Sequence, residues 1–250
     1  MGVWLCVFLV GVAVLWWVWR KAESGRQRAQ LSGLHDKLAD PDAFPQGFLW
    51  GVADSAHQVE GGCNGKHCNW TRFVERQNLR PCGIACDRRK HLFADVASLH
   101  DLGVGIYRFS IEWSRVQPHD PESFDQEGFR YYEQLVEALD KRGIQTMATL
   151  HHHTLPVWFE DLGGFEHKRN GVHFLRFCKW VFRRLHQKVR FWATFNEPAG
   201  YTIQAYARGV YPPARKDWKL TAKVLKNVLF LHVRLYKALK SIDPECQVTG

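Results

Sequence analysis

The stretch Phe191-Trp-Ala-Thr-Phe-Asn-Glu-Pro198 ends with an amide and a carboxylic acid side by side, Asn196 and Glu197. A carboxyl group can pass a proton to a reacting oxygen and take it back, while a neighbouring amide holds a hydroxyl in place. Taken alone, the tripeptide Asn-Glu-Pro fits a polar loop start after a core strand equally well. Three other groups of reactive side chains stand in comparable places: residues 54–60, the pair Glu112-Trp113, and the triplet His151-His152-His153. What makes them a set is position, because each follows a short apolar run.

Those runs must position the chemistry. Val189, Phe191, Ala193 and Phe195 alternate with other residues at the period of a strand. Pro198 cannot continue a ladder, so that strand is predicted to stop at it. Residues 48–53, 104–111 and 144–150 read as three earlier strands, and residues 246–249 as the start of a fifth. Four helical faces lie between them. The first is Leu92, Phe93, Val96, Leu99 and Leu102, closed by Gly103; the second is Phe129, Tyr132, Leu135, Val136 and Leu139, closed by Gly143. Residues 172–185 carry the third, and Leu220, Val224, Val228, Leu231, Leu235 and Leu239 form the fourth and cleanest.

Strand and helix alternating four times mean parallel strands with right-handed crossovers. The two folds that fit are a (β/α)8 barrel and a doubly wound sheet. No Gly-x-Gly-x-x-Gly follows any strand, which weakens a dinucleotide-binding sheet. The reactive groups gather at the C-terminal ends of strands, where barrels place their catalytic residues. The expected class is therefore α/β, a (β/α)8 TIM barrel represented by its first four βα units.

Composition bounds the remaining classes. The 250 residues are 46% hydrophobic and 24% charged, enough for a sizeable core. The net charge is +9, but the basic residues are dispersed rather than interleaved with aromatics in one run, so no nucleic-acid partner is expected. Eleven Trp and 16 Phe suit both core packing and sugar rings. Cys63-x4-Cys68 and Cys82-x3-Cys86, with His57 and His67 nearby, raise the question of zinc; the spacings fit poorly, and reduced structural thiols are expected instead of a metal. Asn69-Trp70-Thr71 is a glycosylation sequon that matters only in a secretory lumen.

Residues 3–19 are an uncharged apolar run, about 25 Å long as a helix and close to the roughly 30 Å hydrocarbon core. Trp16, Trp17 and Trp19 followed by Arg20 and Lys21 resemble an interfacial belt with a cationic stop. A cleaved signal peptide is the rival, but no basic region precedes the run and no small-residue cleavage site follows it. The expected organisation is a membrane anchor at 1–20, a partly helical polar linker at 21–43, and a half-barrel at 44–250. The positive charges after the run place the globular part on the cytoplasmic side.

Four motifs, in order, carry a resemblance. Residues 48–61 (FLWGVADSAHQVEG), 107–115 (YRFSIEWSR), 149–156 (TLHHHTLP) and 194–198 (TFNEP) are similar to the successive signatures of glycoside hydrolase family 1, the β-glucosidase-type retaining enzymes. The resemblance implies Glu197 as general acid/base and Asn196 as the amide that holds a sugar 2-hydroxyl. It also implies Gln58 and His152 as groups binding the outer sugar's hydroxyls, and Arg108 as the arginine beside the nucleophile. No cofactor or metal is implied, and the partner would be a β-glycoside or oligosaccharide.

The departures also count. His153 stands where the family usually has Trp, Thr154 where it often has Asp, and Arg88 and Arg89 where aromatic or His residues often follow Cys86-Asp87. The family's nucleophile sits in a Glu-Asn-Gly motif, and that tripeptide does not occur in the chain. The expectation is a β-glycosidase-family chain that needs a complementary C-terminal half-barrel for turnover. The alternative is an inactive pseudoenzyme or a weak sugar-binding fragment.

Overall fold

Five strands, β1 (Gly51–Ala53), β2 (Ile106–Ser110), β3 (Gln145–Thr149), β4 (Phe191–Ala193) and β5 (Gln247–Thr249), form one sheet in sequential order, every pair parallel. The computed structural model describes residues 20, 21, 23–26, 33, 44–62 and 65–250. An order that never reverses has no switch point, which removes the doubly wound alternative. The chain divides into two units, Met1–Phe48 and Leu49–Gly250, and all five strands belong to the second.

Four long helices make the crossovers: Arg88–Asp101, Gln126–Asp140, Gly171–Leu185 and Trp218–Ile242. Their buried residues recur at helical spacing, as in Val224, Val228, Leu231, Leu235 and Leu239 of the last. Side-chain caps start two of them. Asp125 accepts from Gly128 N at 3.0 Å, and Asp217 Oδ1 accepts from Lys219 N at 2.8 Å and Leu220 N at 3.0 Å. Gly103 follows the first helix at φ +70°, a conformation that costs glycine little. Where helices meet the C-terminal ends of the strands, Trp113 packs on Phe159, Phe174 and Phe177 at ring-centroid separations of 4.6, 5.2 and 5.1 Å.

Several sequence expectations are corrected. Phe93 and Leu102 carry the helical period yet lie exposed, and only Leu92, Val96 and Leu99 of that stripe enter the core. The fourth strand ends at Ala193, well before Pro198; Pro198 instead opens the helix Pro198–Thr202, where its missing N–H costs nothing. The expected strand at 48–53 is only Gly51–Ala53, and all three residues are exposed. Short helices at Asn69–Arg76 and Trp113–Val116 went unread because too few turns repeat the period.

The sequon is closed. Asn69 is fully buried, its Nδ2 donating to Glu160 Oε2 at 2.8 Å and its Oδ1 accepting from Leu155 N at 2.9 Å. Cys68, Cys86, Cys178 and Cys246 are free thiols, but Cys82 is disulfide-bonded, against the expectation of reduced thiols throughout. Among the described residues no helix is long and apolar enough to cross a membrane, and the expected anchor at 3–19 lies outside them.

Two surfaces carry exposed apolar side chains. Leu49, Trp50 and Val52 are exposed at the β1 edge, and Leu229, Phe230, Val233 and Tyr236 on the helix Trp218–Ile242. Inside, Glu60 and Arg115 form an ion pair at 2.9 Å with both side chains almost fully buried. Desolvation pushes the Glu60 carboxyl up to about 7, and Arg115 opposes that rise. Arg115→Met removes that opposition and lifts the Glu60 carboxyl further, and at alkaline pH the stranded carboxyl is expected to cost about 3–5 kcal/mol. Urea unfolding should show a smaller loss at mildly acidic pH, where Glu60 takes up a proton; a loss independent of pH would contradict this account of the pair.

Candidate active site

Arg108, half-buried on β2, reaches across two strands. Its Nε donates to Thr149 Oγ1 at 2.9 Å, and its Nη2 donates to Asn196 Oδ1 at 2.7 Å. Desolvation lowers its pKa and the Glu197 carboxylate raises it again, so the guanidinium stays charged. Asn196 is held from two more sides. Its backbone N donates to His151 O at 2.9 Å, and His153 Nε2 lies 3.1 Å from its carbonyl oxygen. A carbonyl only accepts, so His153 Nε2 must carry the proton. The Asn196 amide nitrogen, 3.4 Å from that same ring atom, then has no acceptor there and keeps its N–H groups for a ligand.

Glu197 follows at φ +43°, a left-handed conformation uncommon outside glycine. It is exposed, and its carbonyl accepts from Tyr201 N at 2.8 Å. Gly200 is glycine for a local reason: a Cβ there would stand 3.2 Å from Glu197 Oε2, crowding the carboxylate.

Gln58 and His152 line one cavity of about 560 Å³, together with His57, Trp70, His153 and Tyr211. Gln58 Oε1 accepts from Ser55 Oγ at 2.7 Å, which turns its amide N–H groups outward. Desolvation first, then His153 and Arg108, hold His152 down at about 4, so at neutral pH its ring offers one donor and one acceptor. Its buried Nδ1 has no hydrogen-bond partner among the described residues. Arg108, Asn196 and Glu197 do not line this cavity. All five residues expected from the sequence lie on, or just beyond, the C-terminal halves of β1 to β4.

Residues the sequence reading passed over complete the arrangement. His153, noted there only as a departure, stacks on Tyr201 at 5.7 Å and 19° and orients Asn196. Thr149 anchors Arg108; it follows Met147, the register partner of Arg108, by two residues, so strand alternation puts it on the same face. Arg88 pairs with Asp54 and stands over the Tyr107 ring at 4.9 Å, giving the departure at that position a structural role.

The family model for glycosyl hydrolase family 1 matches residues 40–250. Beta-glucosidase A of Acetivibrio thermocellus is 30% identical over 212 residues, covering 82% of this chain and 47% of that protein. Lactase/phlorizin hydrolase of Rattus norvegicus is 36% identical over 204 residues, 77% of this chain and 10% of that protein. The solved beta-glycosidase from Pyrococcus horikoshii superposes with a TM-score of 0.76 at 34% identity, covering 82% of this chain and 47% of that one. The chain thus spans about half the length, or less, of the relatives it matches.

His151 yields a test. It is fully buried among Phe165, Phe174, Phe195 and Tyr201, and neither ring nitrogen has a hydrogen-bond partner among the described residues. Desolvation, His153 and His152 keep its pKa well below 6.5, so the unfolded chain binds a proton that the folded chain refuses. A depressed folded value gives stability that is present above 6.5 and lost as pH falls. Asp54, raised by desolvation to about 6, and Glu60 act in the opposite direction, so the comparison is made between variants. His151→Leu should shrink the loss of unfolding free energy between about pH 7.5 and about pH 5 by about 2 kcal/mol. An unchanged pH dependence in denaturant titrations would show that His151 is not the group responsible.

Proposed function

The chain belongs to glycosyl hydrolase family 1, and from that premise we propose that its site serves hydrolysis of terminal β-linked sugars by double displacement, with Glu197 as general acid and then general base. The observation that carries this reading is the tie from Arg108 to Asn196, which aims an amide N–H pair beside the Glu197 carboxyl. Asn196 then holds the sugar's 2-hydroxyl, and Gln58 and His152 take its outer hydroxyls within the cavity they share. The neutral His152 ring can donate to one hydroxyl oxygen and accept from another.

Retention requires a second carboxylate about 5–5.5 Å from the acid. No Glu-Asn-Gly occurs in residues 1–250. On this proposal the nucleophile comes from strands beyond β5, on a continuing or a complementary chain, whose strands pair with the β1 and β5 edges. Arg108 would stand beside that nucleophile and keep it ionised. Sugar binding without turnover is the second reading, favoured by a cavity that Gln58 and His152 line without Glu197.

Residues 3–19 anchor the chain in a membrane on the same proposal, and the charges after them select the cytoplasmic side. The disulfide at Cys82 pulls the other way, since such bonds persist in oxidising compartments. Protease digestion of sealed vesicles separates the two: cleavage of the 49–250 unit only from the cytoplasmic face agrees with the charges, and protection there agrees with the disulfide.

Catalysis is tested by assaying aryl and alkyl β-glucosides with the chain alone and with a half-barrel bearing the Glu-Asn-Gly strand. The pair should turn over and the chain alone should not. Within the pair, Glu197→Gln should lower kcat about 10²–10⁴-fold, more for alkyl leaving groups, which need the proton, than for acidic phenols. Robust turnover by the chain alone, or equal losses for both leaving groups, would overturn the assignment.

A further inference from the structure

Beneath the cavity wall formed by His57 and Thr154 lie three donor atoms of different chemistry from three separate segments. His57 follows β1, Cys68 precedes the helix Asn69–Arg76, and Glu112 follows β2. One ligand atom from each, a ring nitrogen, Sγ and a carboxylate oxygen, all lie within 4.8 Å of one another. A triangle of that side has its centre at most about 2.8 Å from each corner, so shifts of about half an ångström reach the metal–ligand distances of zinc. His57 Nδ1 and Cys68 Sγ are 3.8 Å apart, the separation of two ligands at a roughly tetrahedral angle around one ion.

The surroundings of Glu112 point the same way. It is 2% exposed, and among the described residues it forms no ion pair, unlike Glu60 nearby. Its Oε1 accepts from Ser114 Oγ at 2.6 Å and Ser114 N at 3.3 Å, and its Oε2 accepts from Thr154 Oγ1 at 2.9 Å. Hydroxyl and amide donors of this kind fix a carboxylate's orientation without neutralising it, which is what an outer shell does for a metal ligand. The Cys68 backbone is pinned as well, through an isolated bridge to Pro156. A thiolate, a carboxylate and a neutral imidazole around a divalent ion sum to zero charge, which removes the cost of a buried uncompensated carboxylate.

We propose that His57, Cys68 and Glu112 bind a zinc ion that ties the segments after β1 and β2 to the start of the helix Asn69–Arg76. The mixed sulfur, nitrogen and oxygen set suits Zn²⁺ rather than Mg²⁺ or Ca²⁺, and a water completes four ligands. On binding, the Cys68 thiol releases its proton to solvent and the thiolate sulfur bonds the ion. The ion is structural, and it holds Gln58, next in sequence to His57, at the cavity. This cluster differs from the four-cysteine grouping suggested by spacing: Cys86 and His67 take no part, His67 lying edge-on to His119 at 4.6 Å.

The test titrates the chelator-stripped full chain with Co²⁺. We expect a thiolate-to-cobalt charge-transfer band in the near ultraviolet, displaced by stoichiometric Zn²⁺, lost in Cys68→Ser and retained in Cys86→Ser and Cys246→Ser. Thr154→Val, which removes an outer-shell donor, should weaken Co²⁺ binding about 10–100-fold with the band intact. A variant-free readout covers misfolding of Cys68→Ser: Zn²⁺ should raise the urea midpoint of the unaltered, chelator-stripped chain, because it binds the folded state. Absence of the band at millimolar Co²⁺, its survival in a folded Cys68→Ser, or a urea midpoint that saturating Zn²⁺ leaves unchanged would overturn the proposal. Each of those outcomes leaves the glycosidase reading untouched, because Glu197, Asn196 and Arg108 are not ligands.

Discussion

One guanidinium fixes the geometry of the candidate site. Arg108 is charged and half-buried, so its donors must find acceptors inside the sheet, and it finds them on β3 and just beyond β4. A planar fork satisfies two acceptors in fixed relative positions, which a lysine ammonium cannot do. Because one end of that fork is Asn196, the same contact decides which end of the Asn196 amide faces outward. It also bears on where the next residue, Glu197, turns into the helix Pro198–Thr202. The left-handed turn at Glu197 and the helix opened by Pro198 follow from a chain that must change direction immediately after a pinned residue.

Around that charge the chain sets three imidazoles that burial keeps from charging: His151, His152 and His153. A charged ring here would repel Arg108 and lose its solvation. A neutral ring contributes directional hydrogen bonds at little electrostatic cost, and His153 uses one on Asn196. Placing His153 where the family usually has Trp therefore exchanges aromatic surface for a donor, and its stacking on Tyr201 holds the ring at the correct angle.

The order and class of the elements were legible in the sequence because each crossover helix buries residues at helical spacing and each strand is bounded by turn chemistry. Strand ends were not. In a parallel sheet the apolar run continues past the last paired residue, as Phe195 does two residues beyond β4, since side chains there still enter the core. Pro198 was read as a strand terminator when its local preference is to begin a helix. The five expected site residues rest on motif resemblance, whereas Thr149 and Ser55, which hydrogen-bond two of them, carry no chemistry that singles them out. The His57, Cys68 and Glu112 cluster escaped for a topological reason. Spacing reveals ligands on one loop, and Glu112 arrives from the end of a different strand.

The uncovered surfaces connect stability with the proposed chemistry. Among the described residues the sheet ends at β1 and β5, and the helix Trp218–Ile242 carries exposed apolar side chains. Sheet edges are paired by further strands or shielded by helices, loops and charges. On the proposed mechanism the missing carboxylate must also enter on a strand, with its end beside Glu197 and Arg108. Strands that pair with β1 and β5 would therefore bury the exposed Leu229, Phe230 and Val233 and deliver the nucleophile in one event. Closing the sheet and completing the site are then the same thermodynamic step, and catalytic competence would scale with the affinity of the two halves rather than with any adjustment inside this one.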